Sequence, residues 1–168
     1  VKVQSPRVAL ANIGTEDSKG DRLRHEAFDL LKDTKEINFI GNVETRDVPY
    51  GCCDVLVADG FTGNIILKLY EGVAGAMMAN IKNIFKKSSI TMLAAMMVKG
   101  GLLGLKMRMD YSEFGGAPLL GVNGVVIKAH GSSDAKAIRN AIRQAKTCAE
   151  KNIVGTIAQS VKEAADAE

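Results

Sequence analysis

Three times in this chain an apolar stretch runs into a glycine-containing polar loop and then into a helical pattern: Val8 to Gly20, Val55 to Asn64 and Val125 to Asp134. In a parallel sheet, strand ends of this kind collect along one edge, where ligands bind outside the carboxyl ends of the strands. Helix N-termini gathered there offer N–H groups and a positive dipole end, which suits an anion. Lys19, Asn64, Lys128 and His130 all fall in these loops, so the pattern points to an anion-handling site.

A chain of 168 residues, 46% hydrophobic and 24% charged, is long enough to bury a core of its own. Its formal charge of +3 is too small to argue for nucleic acid, and no zinc-finger spacing or aromatic RNA-binding motif adds to it. The three cysteines, Cys52, Cys53 and Cys148, lack CxxC spacing, and neighbouring cysteines make a poor structural disulfide. They read as free thiols in a reducing compartment, with no metal site. No apolar run approaches the ~20 residues that cross a bilayer, and no leader peptide is recognisable. The chain opens on valine, almost directly on a strand, which suggests part of a longer protein.

The spacing predicts strands at Arg7–Ile13, Ile37–Ile40 and Val55–Ala58, then Pro118–Leu120 and Val125–Ala129 joined by a turn at Gly121–Gly124. Asp21 is a natural cap for a helix to about Lys32 with Leu23, Ala27, Leu30 and Leu31 turned inward. Gly41–Tyr50 reads as a loop. From Thr62 to about Lys87 a helical stripe carries Ile66, Leu69, Val73, Ala76, Met77, Ile81 and Ile84. A second apolar stretch, Thr91–Met109, is interrupted by Gly100, Gly101 and Gly104. Ser133 or Asp134 should cap a helix whose apolar face holds Ala135, Ile138, Ile142, Ala145 and Ala149, and Val154, Ile157 and Val161 continue into a last one. Strands alternating with helices indicate α/β architecture with a mostly parallel sheet covered on both faces.

No acidic residue lies between Glu71 and Asp110, while Lys82, Lys86, Lys87, Lys99, Lys106 and Arg108 do, among all seven methionines. Such a hairpin can pack its Met face against the core or a second subunit. It can lie on an anionic membrane, lysines among the headgroups and Leu93, Met96 and Met97 inserted. It can also receive an acidic carrier protein on Lys86, Lys87 and Lys99. These readings stay open.

In Asp59–Asn64 the glycines, Gly63 among them, permit close backbone approach, Thr62 can cap the next helix, and Asn64 can donate its amide to an anion or a developing oxyanion. In Lys128–Asp134, strand alternation puts Lys128 and His130 on one side, and Gly131, Ser132 and Ser133 open a helix N-terminus able to hold an anion. Lys19 has the reach to touch one. Asn42, Glu44 and Arg46 are subsidiary candidates, and His25 reads as structural. The chain has no GxSxG elbow, Walker loop or GxGxxG fingerprint, so neither a protein nucleophile nor a cofactor is expected. An anion acting as its own nucleophile would need mainly positioning and charge stabilisation.

Five segments, Asn12–Gly20, Ile37–Glu44, Asp54–Asn64, Leu105–Gly124 and Ile127–Asp134, together resemble the C-terminal half of the bacterial acyl-acyl-carrier-protein:phosphate acyltransferase (PlsX) family. GFTGN and KAHGSSD are the specific elements. The resemblance implies a Rossmann-like three-layer α/β/α fold akin to phosphotransacetylases and isocitrate dehydrogenase. Residues 1–168 would be part of one acyltransferase domain, with a helical hairpin at about 64–110 and the family's N-terminal half absent. It implies acyl phosphate synthesis from acyl-acyl carrier protein and inorganic phosphate for phospholipid synthesis. It further implies a homodimer in the cytoplasm, held peripherally on the inner face of the membrane by a tip matching about Ser88–Leu105. Lys19 and Asn64 fall on family active-site positions; the role of His130 rests on its local chemistry alone. An acyl-CoA-using phosphate acetyl- or butyryltransferase, and a non-catalytic fragment keeping only dimer and membrane surfaces, are the alternatives.

Overall fold

The computed structural model describes residues 3–109 and 115–166. They fall into two compact units, Val1–Ala76 and Met77–Glu168, and the division lies within a helix.

The first unit is built on β1 (Arg7–Asn12), whose apolar run Val8–Ala11 is buried. Such a run suits a central strand covered on both faces. It is flanked in parallel by β2 (Asn38–Glu44) and β3 (Val55–Val57), in the order β2-β1-β3. Between β1 and β2 in the chain comes α1 (Arg22–Asp33), whose cap is Asp21 as expected: its carboxylate accepts the Arg24 N–H at 3.0 Å. The inward face differs from expectation. Phe28 is the buried residue, its ring edge-on to Phe39 of β2 at 5.3 Å, whereas Leu30 is 73% exposed and Leu23 is also exposed. A three-stranded sheet is narrow, and one aromatic pair spans the contact that α1 makes with it.

β2 runs past the predicted end at Ile40 because Gly41 does not stop it. Val8 pairs with Phe39 but Leu10 with Asn42, so β2 spends one extra residue there, and Gly41 takes φ +93° to absorb it. Asn42 and Val43, expected in a loop, are buried strand residues as a result. A 3-10 turn, Thr45–Tyr50, follows.

α2 (Gly60–Phe85) starts two residues before the expected Thr62, because Asp59 is its cap: one carboxylate oxygen takes the N–H groups of Phe61 and Thr62, each at 3.0 Å. Of its predicted stripe, Leu69, Val73, Met77 and Ile84 are exposed, and Ala74 is the buried residue.

In the second unit α2 ends and α3 (Ser89–Met109) begins across a short turn. Ser88 and Thr91 stitch that turn: the Ser88 oxygen accepts the Thr91 N–H, and the Thr91 hydroxyl donates to the Phe85 carbonyl at 3.0 Å. Gly100, Gly101 and Gly104 do not interrupt α3. The expected hairpin end at Asp110, the Asp110–Phe114 part of the resembling segment and the side chains of Lys106 and Arg108 lie outside the described residues. β4 (Ala117–Leu119) and β5 (Val126–Lys128) pair antiparallel in a sheet of their own, so among the described residues the parallel sheet has three strands. α4 (Ala135–Glu150) is capped by Asp134, whose carboxylate accepts the Ala137 N–H at 2.8 Å; α5 (Ile153–Ala165) follows. α4 buries Ala137, Asn140 and Ala141 rather than the Ile138–Ile142 stripe, which is exposed. The chain at Gly115 and Gly116 passes directly over Ala137 and β5, and such an approach requires small residues. The chain is thus α/β with a three-stranded parallel sheet, compatible with a Rossmann-like layered fold.

Candidate functional site

Where β1 and β2 end beside the start of α2, the first unit opens a cavity of about 740 Å³ lined by Asn12, Gly20, Asp21, Arg24, Arg46 and Thr62, with Ile65 and Ile66 as its apolar wall. The sequence carries Asn12 inward because it closes a buried strand; its amide donates to the Lys19 carbonyl at 2.9 Å, and its oxygen accepts the Ile13 N–H at 2.8 Å. One side chain thereby pins both ends of the first loop. Gly20 lies where that loop turns into α1, at φ +101°, and a Cβ there would stand 2.9 Å from the Asn12 oxygen and 2.7 Å from the Arg24 Cβ. No other residue fits. From β2, the Asn42 amide donates to the Glu16 carbonyl at 3.0 Å, while its buried oxygen has no partner.

Arg24, which the sequence reading overlooked, holds the two neighbouring strand ends together. Its guanidinium binds Asp21 at 2.8 Å on its own helix and, across the sheet edge, the Asp59 carboxylate and the Thr62 hydroxyl, the latter at 2.6 Å. Its side chain is 19% exposed. A planar fork that answers two carboxylates and a hydroxyl fixes direction as well as charge. Thr62 is therefore a partner of Arg24 rather than the helix cap. The Thr62 hydroxyl and N–H, with a lesser contribution from Arg24, hold the Asp59 carboxyl down at about 2. The Arg24 N–H first, then its charge, lower Asp21 as well. Both carboxylates stay ionised, and both sit on helix N-termini. The signal that could have exposed Arg24 is its place three residues after a cap, beside an acidic residue at the next parallel strand end.

Lys19 and Asn64 are chain neighbours of this lining rather than part of it. Lys19 follows the loop that Asn12 fastens; its ammonium lies 4.0 Å from Glu16, with the side chain about half exposed. Asn64 is exposed on the second turn of α2, just before Ile65 of the cavity wall, and not on its first turn. Gly63 precedes it, its N–H donating to the Asp59 carbonyl at 2.8 Å. Among the subsidiary candidates Glu44 and Arg46 line the cavity, paired with each other at 2.9 Å.

The third loop belongs to the second unit. β5 ends at Lys128, two residues before His130, so strand alternation does not extend to the histidine. Instead, His130 Nδ1 accepts the Ser132 N–H at 3.3 Å and lies 2.6 Å from the Ser132 hydroxyl. The His130 carbonyl accepts the Ser133 N–H at 3.0 Å, closing a turn through the exposed Gly131. The Ser133 hydroxyl oxygen is buried without a partner, and Asp134 occupies the N-terminus of α4. At all three loop–helix junctions the helix is capped by an aspartate, Asp21, Asp59 or Asp134. An anion held near these junctions needs cations from elsewhere.

Lys82, Lys86 and Lys99 stand along a groove of about 610 Å³ between the end of α2 and α3, with Met78, Ile81, Phe85, Met92, Leu93 and Met96 among its walls. Leu93 is 62% and Met97 83% exposed, and Lys87 is exposed on the turn. Among the described residues no helix is long and apolar enough to cross a membrane.

Over residues 1–156 the chain matches the family described as fatty acid synthesis protein. A phosphate acyltransferase of Lysinibacillus sphaericus is 52% identical over 160 residues, which is 95% of this chain and 48% of that protein. One from Clostridium perfringens is 50% identical over 159 residues, 95% of this chain and 47% of its own. One from Alkaliphilus oremlandii is 47% identical over 168 residues, the whole of this chain and 50% of its own. The chain spans about half the length of these curated relatives.

Proposed function

The chain belongs to the fatty acid synthesis protein family, and from that premise we propose that it carries part of the site of a phosphate acyltransferase, which makes acyl phosphate from acyl-acyl carrier protein and inorganic phosphate. The observation that carries this reading is the cavity at the β1 and β2 ends, with two guanidinium groups and an apolar wall, flanked by the loop of Lys19 and the helix of Asn64. Relatives named phosphate acyltransferase support it.

Phosphate is largely ionised near neutral pH and needs no strong base to attack a thioester. The reaction needs a cation to hold phosphate, a donor for the oxygen of the tetrahedral intermediate and a route out for the thiolate of the carrier. Lys19 takes the first role and Asn64 the second. His130, with Lys128, Gly131, Ser132 and Ser133, orients phosphate or relays a proton. The helical hairpin, through Lys86, Lys87, Leu93, Met97 and Lys99, serves membrane or carrier contact at the cytoplasmic face, and the working assembly is a homodimer. One domain of the family includes all of these parts.

The test is phosphate-dependent release of thiol by a polypeptide of full family length containing this segment, assayed in parallel with acyl-acyl carrier protein and acyl-CoA. Turnover on the carrier thioester supports the reading. Turnover on the CoA thioester alone moves the chain to the acetyl- and butyryltransferases, and none with either leaves only its surfaces.

A further inference from the structure

Cys52 and Cys53 sit in the turn that leads into β3, with their sulfurs 3.9 Å apart. Neighbouring side chains in an extended chain point to opposite sides; this turn brings both thiols together. Arg7 braces it. Its Nη1 donates to the Cys52 carbonyl at 3.0 Å and Nη2 to the Gly51 carbonyl at 2.9 Å, while its backbone N–H and Nε bind Asp54 at 2.9 and 3.1 Å. Both thiols are half-buried, within reach of small solutes. Cys148 is on α4, in the second unit.

The Cα atoms of adjacent residues are about 3.8 Å apart, below the roughly 4.4–6.8 Å of ordinary disulfides, so a bond between these sulfurs would be strained. Strain makes a poor staple but a readily reversed bond, the kind found at labile and regulatory positions. We propose that Cys52 and Cys53 form a redox-reactive vicinal dithiol that takes a low-molecular-weight disulfide as its oxidant. In the first step one cysteine thiolate attacks a sulfur of the small disulfide, forming a mixed disulfide and expelling one small thiolate. In the second the neighbouring thiolate attacks the protein sulfur, closing the Cys52–Cys53 bond and expelling the other. The two cysteine protons end on the two small thiols; the dithiol is oxidised by two electrons and the small disulfide is reduced. Burial first, then the Cys52 sulfur, pushes the Cys53 thiol up. That suits Cys53 to the second attack, where contact compensates for a small thiolate fraction.

The reduced protein is treated with excess glutathione disulfide and its peptides are mapped by mass without reduction. The expected result is a peptide across Cys52–Cys53 lighter by two hydrogens and free of adduct, in the wild type and in Cys148→Ser alike. Cys52→Ser and Cys53→Ser should each retain one glutathione. A stable glutathione adduct on either residue of the wild-type pair, bonding of either to Cys148, or no reaction at the pair would overturn the proposal. Phenylarsine oxide, which chelates paired thiols, gives a second reading on the untreated protein. Wild type and Cys148→Ser should bind it at least roughly tenfold more tightly than either single variant of the pair, from the effective concentration of the second thiol. Equal binding would also overturn the proposal.

Discussion

The cavity at the strand ends and the groove along the hairpin are made of opposite materials. At the cavity, charges answer one another: Arg24 binds Asp21 and Asp59, and Glu44 binds Arg46. Along the groove, lysines border methionine, leucine and phenylalanine, in a stretch of chain with no acidic residue from Gly72 to Met109. Charge matched within the chain fixes geometry, which chemistry needs. Charge beside exposed apolar surface suits the membrane or carrier contact proposed above.

If that division is right, each region should fail in its own assay. The largest effect is expected for Asn64→Ala in the full-length polypeptide: turnover falls at least tenfold, toward the 10²–10³ typical of losing one oxyanion donor, with liposome binding intact. Unchanged turnover would remove Asn64 from the chemistry. Leu93→Glu should do the reverse, abolishing sedimentation with anionic liposomes while the fold is kept. Burying a leucine side chain is worth about 1.5–3 kcal/mol, so its loss alone weakens binding roughly tenfold or more; retained binding would return the hairpin to simple packing. Smaller is the effect of Asp134→Ala, which removes the α4 cap and should cost about 1 kcal/mol in urea denaturation. An undiminished midpoint would show that the first turn of α4 is held by other contacts.

The smallest effect concerns pH. Asp59 is held at about 2, below the ordinary 3.8. A depressed carboxyl stabilises the fold above its unfolded value, and that contribution fades as pH falls from about 4 toward 2. Asp59→Asn should flatten this acid limb in thermal melts, and an unchanged slope would argue against the Arg24–Asp59–Thr62 arrangement in solution.

Much of the fold was legible in the residues. Arg7–Ile13 and Val55–Ala58 read as strands and Asp21 as a cap, because apolar runs and capping are local signals. Three features were not. Gly41 reads as a terminator, yet a glycine that ends a strand and one that bulges it look alike until the partner strand is known. Thr62 resembles a cap as much as Asp59 does, and the choice turned on Arg24, 38 residues earlier. The inward faces of α1 and α4 depend on how close the neighbouring backbone comes, which favoured Phe28 over Leu30 and Ala141 over Ile142. Near the site, the loops led to Lys19 and Asn64, which are chain neighbours of the cavity lining. Arg24 was missed because a helical arginine gives no sign of the carboxylate across the sheet.

The irregular pairing of β2 also governs what may be trimmed from it. Beyond Gly41 the odd–even parity of the strand is reversed relative to an unbroken ladder, which is how Asn42 comes to lie opposite Leu10. Deleting Gly41 would mend the ladder and leave Asn42, Val43 and Glu44 opposite Leu10, Ala11 and Asn12, so each side of the sheet would display what it does now. A shortened loop elsewhere alters reach; β2 shortened at its extra residue would keep the cavity wall that Glu44 helps to form.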